Sequence, residues 1–352
     1  MKIRVKKNRW YLAIINLILL MALAVCVILF QKISRTLDSV QAADRWRGES
    51  DMRFAQIGCF MPVDNPKTEE EILSFRRTLD QKLIDASLTS ASGTALYCDA
   101  YSGQGKLTVT GDHGSSEVTA IGVGGNFFLF HPLQLRSGSY ITGQDLMQDR
   151  VILDETLAWQ LFGGSDVAGM TVMIQNQPFY VAGVIRREND FASQKAYGDA
   201  PGMFISYSAF QKLTGVNITC YEIVMPDMIS GFALSIMRDN FDVGTGDLVE
   251  NSSRYRMEHL FGVISDYGLR SMRTNGVIYP YWENAVRLTE DYLALLLVLI
   301  LILGVCPFLT FLVIAIRFLI RVYRKTIRRI PERADALREK KREKIYAKNA
   351  KR

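Results

Sequence analysis

Two apolar segments, one near each end of the 352-residue sequence, constrain its fold more than any other feature. The first covers residues 10–30 and the second residues 292–316, and neither contains a charged side chain. Each reaches the roughly 20 apolar residues that a helix needs to cross a bilayer. The first is also longer than the apolar core of about 7–15 residues in a cleaved signal peptide. The sequence therefore predicts two transmembrane helices, with residues 31–291 forming a domain on one side of the membrane.

The distribution of charge predicts which side that is. Residues 1–9 carry five bases and no acid, and residues 317–352 carry fifteen bases and four acids, so the rest of the chain is acidic by ten charges although the total is +6. Cytoplasmic flanks of membrane helices are enriched in Lys and Arg. We therefore expect a cell-membrane protein with both termini in the cytoplasm and an extracytoplasmic domain at 31–291. The basic charge follows the membrane topology, and it does not indicate a nucleic-acid partner.

The bases that follow the second segment are the candidate contact residues of this chain. They are Arg321, Arg324, Lys325, Arg328 and Arg329. Each base near an anionic leaflet contributes about 1 kcal/mol of attraction. Two functions remain open: anchoring of the segment on anionic lipids, or docking of a cytoplasmic partner.

The sequence gives no positive indication of an enzyme. Residues 164–171 have the glycine spacing of a phosphate-binding loop, but Met170 occupies the position of the lysine. The three histidines are far apart, and no spacing of acids or cysteines suggests a catalytic pair, a metal site or a cofactor site. The cysteines predicted to lie outside the membrane, Cys59, Cys98 and Cys220, allow at most one disulfide.

The region between the apolar segments alternates short strands with helices, which predicts an α+β domain. Thr68 and Glu71 form a capping box before an apolar stripe at helical spacing. We expect two strands at Tyr97–Tyr101 and Lys106–Thr110, a helix at 155–162 ended by Gly163, and a hairpin at 170–185. Pro226 is expected to begin a helix, and Glu250–Ile264 to be another. The length favours two lobes.

Four consecutive blocks carry a resemblance to a known family. They read GNFFLFHPLQLRSG at 125–138, VILDETLAWQLFG at 151–163, DVAGMTVMI at 166–174 and FYVAGVI at 179–185. The pattern resembles the MacB-like periplasmic core domain in permeases of the MacB/FtsX class of ABC transporters. The match is good over 122–185 and weak beyond residue 186.

The resemblance implies a porter-like lobe with an inserted β-rich lobe, of which Met170–Ile185 would be part. It also implies mechanotransmission, in which a cytoplasmic ATPase drives helix motions that reach the outer domain. Such permeases have four membrane helices, and the third and fourth are missing from this sequence. We therefore expect a permease-like or accessory subunit that forms a homo- or heterodimer and works with a separate ABC ATPase, a four-span permease, or both. The alternative is a membrane-anchored sensor or interaction protein that regulates an envelope process.

Overall fold

The chain divides into two compact units. The computed structural model describes residues 2–88, 95–143, 145–198, 202–266 and 276–349. One unit is the outer domain, Gln31–Leu295, and the other comprises the residues up to Phe30 and from Leu296 onward. Both units share the last helix, whose first residues belong to the outer domain and whose remainder belongs to the other unit.

The described residues form the following elements, in chain order. The helices are α1 Lys2–Ile33, α2 Ala42–Arg47, α3 Glu69–Asp85, α4 Phe127–Phe130, α5 Glu155–Phe162, α6 Phe191–Ala196, α7 Tyr207–Thr214, α8 Phe232–Asn240, α9 Met257–Ser265 and α10 Tyr281–Asn349. The strands are β1 Phe54–Phe60, β2 Cys98–Gly111, β3 Gly114–Gly125, β4 Gln134–Gly138, β5 Arg150–Asp154, β6 Thr171–Ile174, β7 Gln177–Arg186, β8 Gly202–Ser206, β9 Cys220–Pro226 and β10 Asp247–Glu250. Short 3-10 turns occur at Asp38–Val40 and Asn251–Ser253.

One mixed sheet runs through the outer domain. Its strand order over the described residues is β10-β1-β9-β2-β3-β8-β5-β7-β4, and β6 pairs with β2 and β7. The pairs β3–β8 and β5–β7 are parallel and the others are antiparallel. The expected α+β class is confirmed. The candidate hairpin of the inserted lobe, β6–β7, belongs to this same sheet, so the expected lobes share one sheet.

Three buried clusters pack on this sheet. Helices α3 and α8 cover one face of β1 and β9, while α2, α4 and the start of α10 contribute to a second cluster. Helices α5 and α7 close a third cluster on β3, β5, β7 and β8. The two ends of the long β2–β3 hairpin therefore lie in different cores, and the hairpin links them.

Local signals in the sequence explain several element boundaries. The capping box at α3 is present, with Thr68 accepting from the backbone of Glu71 and the Glu71 carboxylate accepting from the backbone of Thr68. The predicted stripe, Ile72, Phe75, Leu79 and Leu83, is buried. Helix α5 ends at Gly163, whose φ of 74° is the left-handed conformation that glycine adopts readily.

The prediction of two strands at Tyr97–Tyr101 and Lys106–Thr110 is wrong, because β2 is continuous. Its glycines pair with β3 instead of turning, and Gly103 lies opposite Gly122. The Phe210 ring fills the space beside them, since a Cβ at Gly122 would lie 2.5 Å from that ring. The glycines permit close packing of α7 on the hairpin.

Two further predictions are wrong near the end of the domain. Pro226 is the last residue of β9, and α8 begins only at Phe232, after a connection in which buried Asp227 pairs with Arg53 at 3.0 Å. The segment Glu250–Ile264 is not one helix. It contains the end of β10, where Glu250 pairs with Ile57 of β1, then a turn and α9. Pairing with β1 overrides the helical spacing of the apolar residues.

Two described helices are long and apolar enough to cross a membrane, and they contain the predicted spans. These are Trp10–Ile33 within α1 and Tyr281–Arg324 within α10. Most of their apolar side chains are exposed. The span limits 10–30 and 292–316 stay predictions.

The cysteines of the outer domain, Cys59, Cys98 and Cys220, are free thiols buried in the core. Burial raises the pKa of the Cys59 and Cys220 thiols well above the ordinary value. Because the thiolate is the reactive form, these two groups are protected from oxidation.

Candidate functional site at the start of the last helix

The first four turns of α10 belong to the outer domain and present one buried face to it. The buried positions recur at helical spacing: Trp282 and Glu283, Ala285 and Val286, Thr289 and Glu290, and Leu293 and Ala294. Of these side chains, Trp282 belongs to the second cluster, and Ala285 and Val286 belong to a small fourth cluster with Leu37 and Ala192. A helix that runs into a candidate membrane span is thus held along about three turns by the outer domain.

A buried ion cluster fixes this face of α10. The Arg254 guanidinium, 3% exposed, donates two hydrogen bonds of 2.6 Å to the Glu283 carboxylate and one of 2.6 Å to Glu290. Arg254 also donates to the Asn251 side chain at 3.0 Å, and His259 contacts Glu290 at 3.0 Å. Glu283 and Glu290 are seven residues apart, so they lie on one face of the helix. We call these five residues the Arg254 cluster.

Arg254, Glu283 and Glu290 are buried, whereas His259 at the edge of the cluster is exposed. The pKa of Arg254 lies above its ordinary value: burial alone would lower it, but the Glu283 and Glu290 carboxylates raise it by more. Breaking such a cluster by removing one partner is strongly destabilising, because the remaining charges stay buried without compensation. The cluster therefore fixes the position of α10 on the outer domain, because water cannot reach Glu283 and Glu290 to solvate them if the helix moves away from Arg254.

Aromatic contacts hold the first turn of α10. The Trp282 ring lies 4.4 Å from the His131 ring and 5.4 Å from the Phe127 ring, between ring centroids. His131 Nε2 is 2.6 Å from a Glu222 carboxylate oxygen, and both side chains are buried. Arg45 donates to the carbonyls of the α4 turn at 2.9 and 3.0 Å. The FFLFHP block thus forms a short helix whose end receives Trp282.

A second aromatic contact lies beside a half-buried acid, Glu188. The Tyr281 and Tyr197 rings stack with centroids 4.2 Å apart, and the Tyr197 hydroxyl donates to the Glu188 carboxylate. Burial, with a smaller contribution from Asp190, raises the pKa of Glu188 to about 7. Glu188 is therefore largely protonated in the folded domain at mildly acidic pH.

The stability of the outer domain is expected to fall as pH rises from about 4.5 to about 7, because of Glu188. Below the pKa that Glu188 has in the unfolded chain, the carboxyl is protonated in both states. Between that pKa and the higher pKa of the folded domain, it is protonated only in the folded state. The loss on passing through that window is up to about 3 kcal/mol. Unfolding by urea at several pH values checks this, and Glu188→Gln should flatten the profile between those limits. Equal slopes in both proteins would contradict the assignment.

The predicted contact bases lie on α10, in the other unit. Arg321 and Arg324 are exposed, and the helix continues through Lys325, Arg328 and Arg329, whose side chains lie outside the described part of the structure. They stay candidate contact residues. Among the residues that the structure describes, no three His, Cys, Asp or Glu side chains are placed to hold a metal ion.

The Arg254 cluster is not apparent from the sequence. Its signal is the pair Glu283 and Glu290, two acids at seven-residue spacing just before an apolar run. The partner that makes them a site is Arg254, whose position follows only from the fold. The contact of His131 with its buried partner Glu222 likewise follows only from the fold.

Comparison with known proteins identifies the relatives of this domain. The family model for a MacB-like periplasmic core domain matches residues 20–230. The macrolide export ATP-binding/permease protein MacB of Aggregatibacter actinomycetemcomitans is 26% identical over 147 residues, which is 40% of this chain and 22% of that protein. The match thus spans about a fifth of this relative's length. The Arg254 cluster lies beyond the matched family segment.

Solved structures with a similar fold include two transporter domains. The periplasmic region of MacB from Actinobacillus actinomycetemcomitans has a TM-score of 0.40 and 15% identity, covering 62% of this chain and 94% of that one. The extracellular domain of the noncanonic ABC-type transporter YknZ from Gram-positive bacteria has a TM-score of 0.36 and 16% identity, covering 53% and 92%.

Proposed function

Since the chain belongs to the family of proteins with a MacB-like periplasmic core domain, we propose that it is a permease-like or accessory membrane subunit of an ABC-type transporter complex. The family match, over more than half of the sequence, is the observation that carries this proposal. The two apolar helices that flank the outer domain support it as well. The outer domain would act on a substrate or on an envelope partner.

Motion would reach the outer domain through α10. This helix is continuous from Tyr281 to Asn349, and its first turns are held by the Arg254 cluster and by Trp282. A displacement of the helix would therefore move the domain with it, because sliding of α10 over the domain would separate buried charges.

The membrane topology in this proposal places the outer domain outside the cell and both termini in the cytoplasm. The excess of Lys and Arg in residues 1–9 and 317–352 supports it. The proposed partners are a separate ABC ATPase, a four-span permease or both, in a homo- or heterodimeric assembly. The bases from Arg321 to Arg329 would contact anionic lipids or the cytoplasmic partner.

Crosslinking in the source cells, followed by purification in mild detergent, tests the proposal. We expect mass spectrometry to find an ATP-binding subunit with a phosphate-binding loop in the purified complex. Recovery of envelope enzymes without any ATPase would instead favour the sensor or regulator function. A variant with Arg321→Gln and Arg324→Gln forms a second arm. Loss of the ATPase with membrane insertion intact would assign these bases to docking, and retention of the ATPase would contradict docking through them.

A further inference from the structure

Helix α9 presents an apolar face that no described part of the outer domain covers. Leu260 and Val263 point into the core, but Met257 is 65% exposed and Phe261 is 48% exposed. Met257 and Phe261 are four residues apart, so they are neighbours on one face of the helix. An exposed phenylalanine and methionine side by side on a regular helix indicate a surface that a membrane or a protein partner covers.

This face lies close to the predicted membrane border. His259 of α9 contacts Glu290 of α10 at 3.0 Å, and the predicted second span begins two residues later, at Tyr292. Both residues belong to the same compact unit as α9. Along α10 the separation from Glu290 to Tyr292 is about 3 Å. Helix α9 therefore lies at the level where the apolar run of α10 starts.

A second exposed aromatic side chain occurs at the same level. Phe191, the first residue of α6, is 55% exposed, and its ring lies 5.2 Å from the Tyr292 ring. The Lys195 ammonium lies 4.3 Å from the Phe191 ring. Aromatic rings at the border of a membrane helix, with adjacent bases, are typical of the interfacial region of a bilayer.

The charges around these side chains suit an anionic lipid surface. Besides Lys195, the exposed bases Arg256 at the start of α9 and Lys32 and Arg35 after the first apolar segment belong to this unit. The exposed acids are Glu258 and Asp266 on α9 and at its end, and Asp38 close to the start of α6. Apolar side chains from two separate elements, interspersed with bases, fit a lipid headgroup layer better than the continuous groove that a partner helix would need.

We propose that α9, together with Phe191, is a membrane-contacting foot of the outer domain, whose apolar side chains enter the headgroup region of an anionic bilayer. This goes beyond the proposed function, because it concerns where the domain rests and does not require transport. The foot and the Arg254 cluster share His259, so contact with lipid would bear directly on the residues that hold α10.

The test uses the full chain reconstituted in vesicles of phosphatidylglycerol and phosphatidylcholine. A bimane label is attached at Phe261→Cys and, as a matched control, at Met173→Cys, a 39% exposed apolar residue on β6. The native outer-domain cysteines are buried, and labelling of the unsubstituted protein gives the background. We expect nitroxide-labelled lipid to quench the label at 261 several-fold more than at 173, and aqueous iodide to quench it several-fold less.

Two results would overturn the proposal. Equal quenching by iodide at positions 261 and 173 would show that α9 faces water. Protection from iodide at 261 without quenching by the lipid nitroxide would show that protein covers the face. Met257→Cys repeats the measurement at an independent position of the same face. Both residues are exposed, so the unfolding midpoint of each variant should equal that of the unsubstituted protein.

Discussion

Replacing Arg254 with methionine is expected to lower the free energy of unfolding of the outer domain by about 3–5 kcal/mol, because Glu283 and Glu290 would be left buried without their cation. Methionine keeps much of the volume, so the effect reports the lost charge and hydrogen bonds. Urea unfolding of the full chain in mild detergent, followed by tryptophan fluorescence, measures it. Trp282, in the first turn of α10, is a reporter within the site.

The matched control is the surface pair of Lys106 and Glu117. Their side chains approach to 2.7 Å but are 78% and 62% exposed, so Lys106→Met should cost far less than Arg254→Met. Adding Glu283→Gln to Arg254→Met should recover part of the lost stability, since one uncompensated charge is removed. If Arg254→Met cost no more than Lys106→Met, the cluster would not hold α10.

Replacing Trp282 with alanine should cost about 3–5 kcal/mol, because the indole is almost wholly buried among Phe127, His131 and Tyr281. The cavity would open between α10 and the α4 turn, so the first turn of α10 should become accessible to proteases while the sheet stays folded. Limited proteolysis and urea unfolding of the full chain measure the two effects.

Trp159→Ala provides the comparison for the same change of side chain. Trp159 lies on α5 and is 57% exposed, so its removal creates little buried cavity and should cost less than about 1 kcal/mol. Similar losses in the two variants would mean that Trp282 contributes no more than a surface residue, and that the Arg254 cluster alone fixes the helix.

Local sequence signals were sufficient where one segment decides its own structure. The capping box of Thr68 and Glu71 gave the start of α3, and Gly163 gave the end of α5. Local signals failed where contacts with a distant segment determine the local structure. The glycines of β2 favour a turn in isolation, but Phe210, about a hundred residues away, packs on them and keeps the strand straight.

The candidate site depends largely on such contacts between segments that are distant in the sequence. The spacing of Glu283 and Glu290 can be read along α10, but burial of their charges depends on Arg254, which comes from the turn after β10. No sequence periodicity connects Arg254 with the two glutamates. Arg254 follows β10, and the pairing of β10 with β1 brings it to α10. The exposed apolar face of α9 is likewise not apparent from the sequence, because the predicted helix begins at Glu250 and the observed one at Met257.

The seven-residue spacing of the two glutamates restricts one motion of α10 more than others. Seven residues bring a helix almost back to the same direction, about 20° short of two full turns. Both carboxylates therefore point at Arg254 only for one angle of the helix about its own axis. A twist of α10 by a single residue position, about 100°, would turn both carboxylates away from Arg254. The Arg254 cluster therefore fixes the angle of the first turns of α10 about the helix axis within the outer domain.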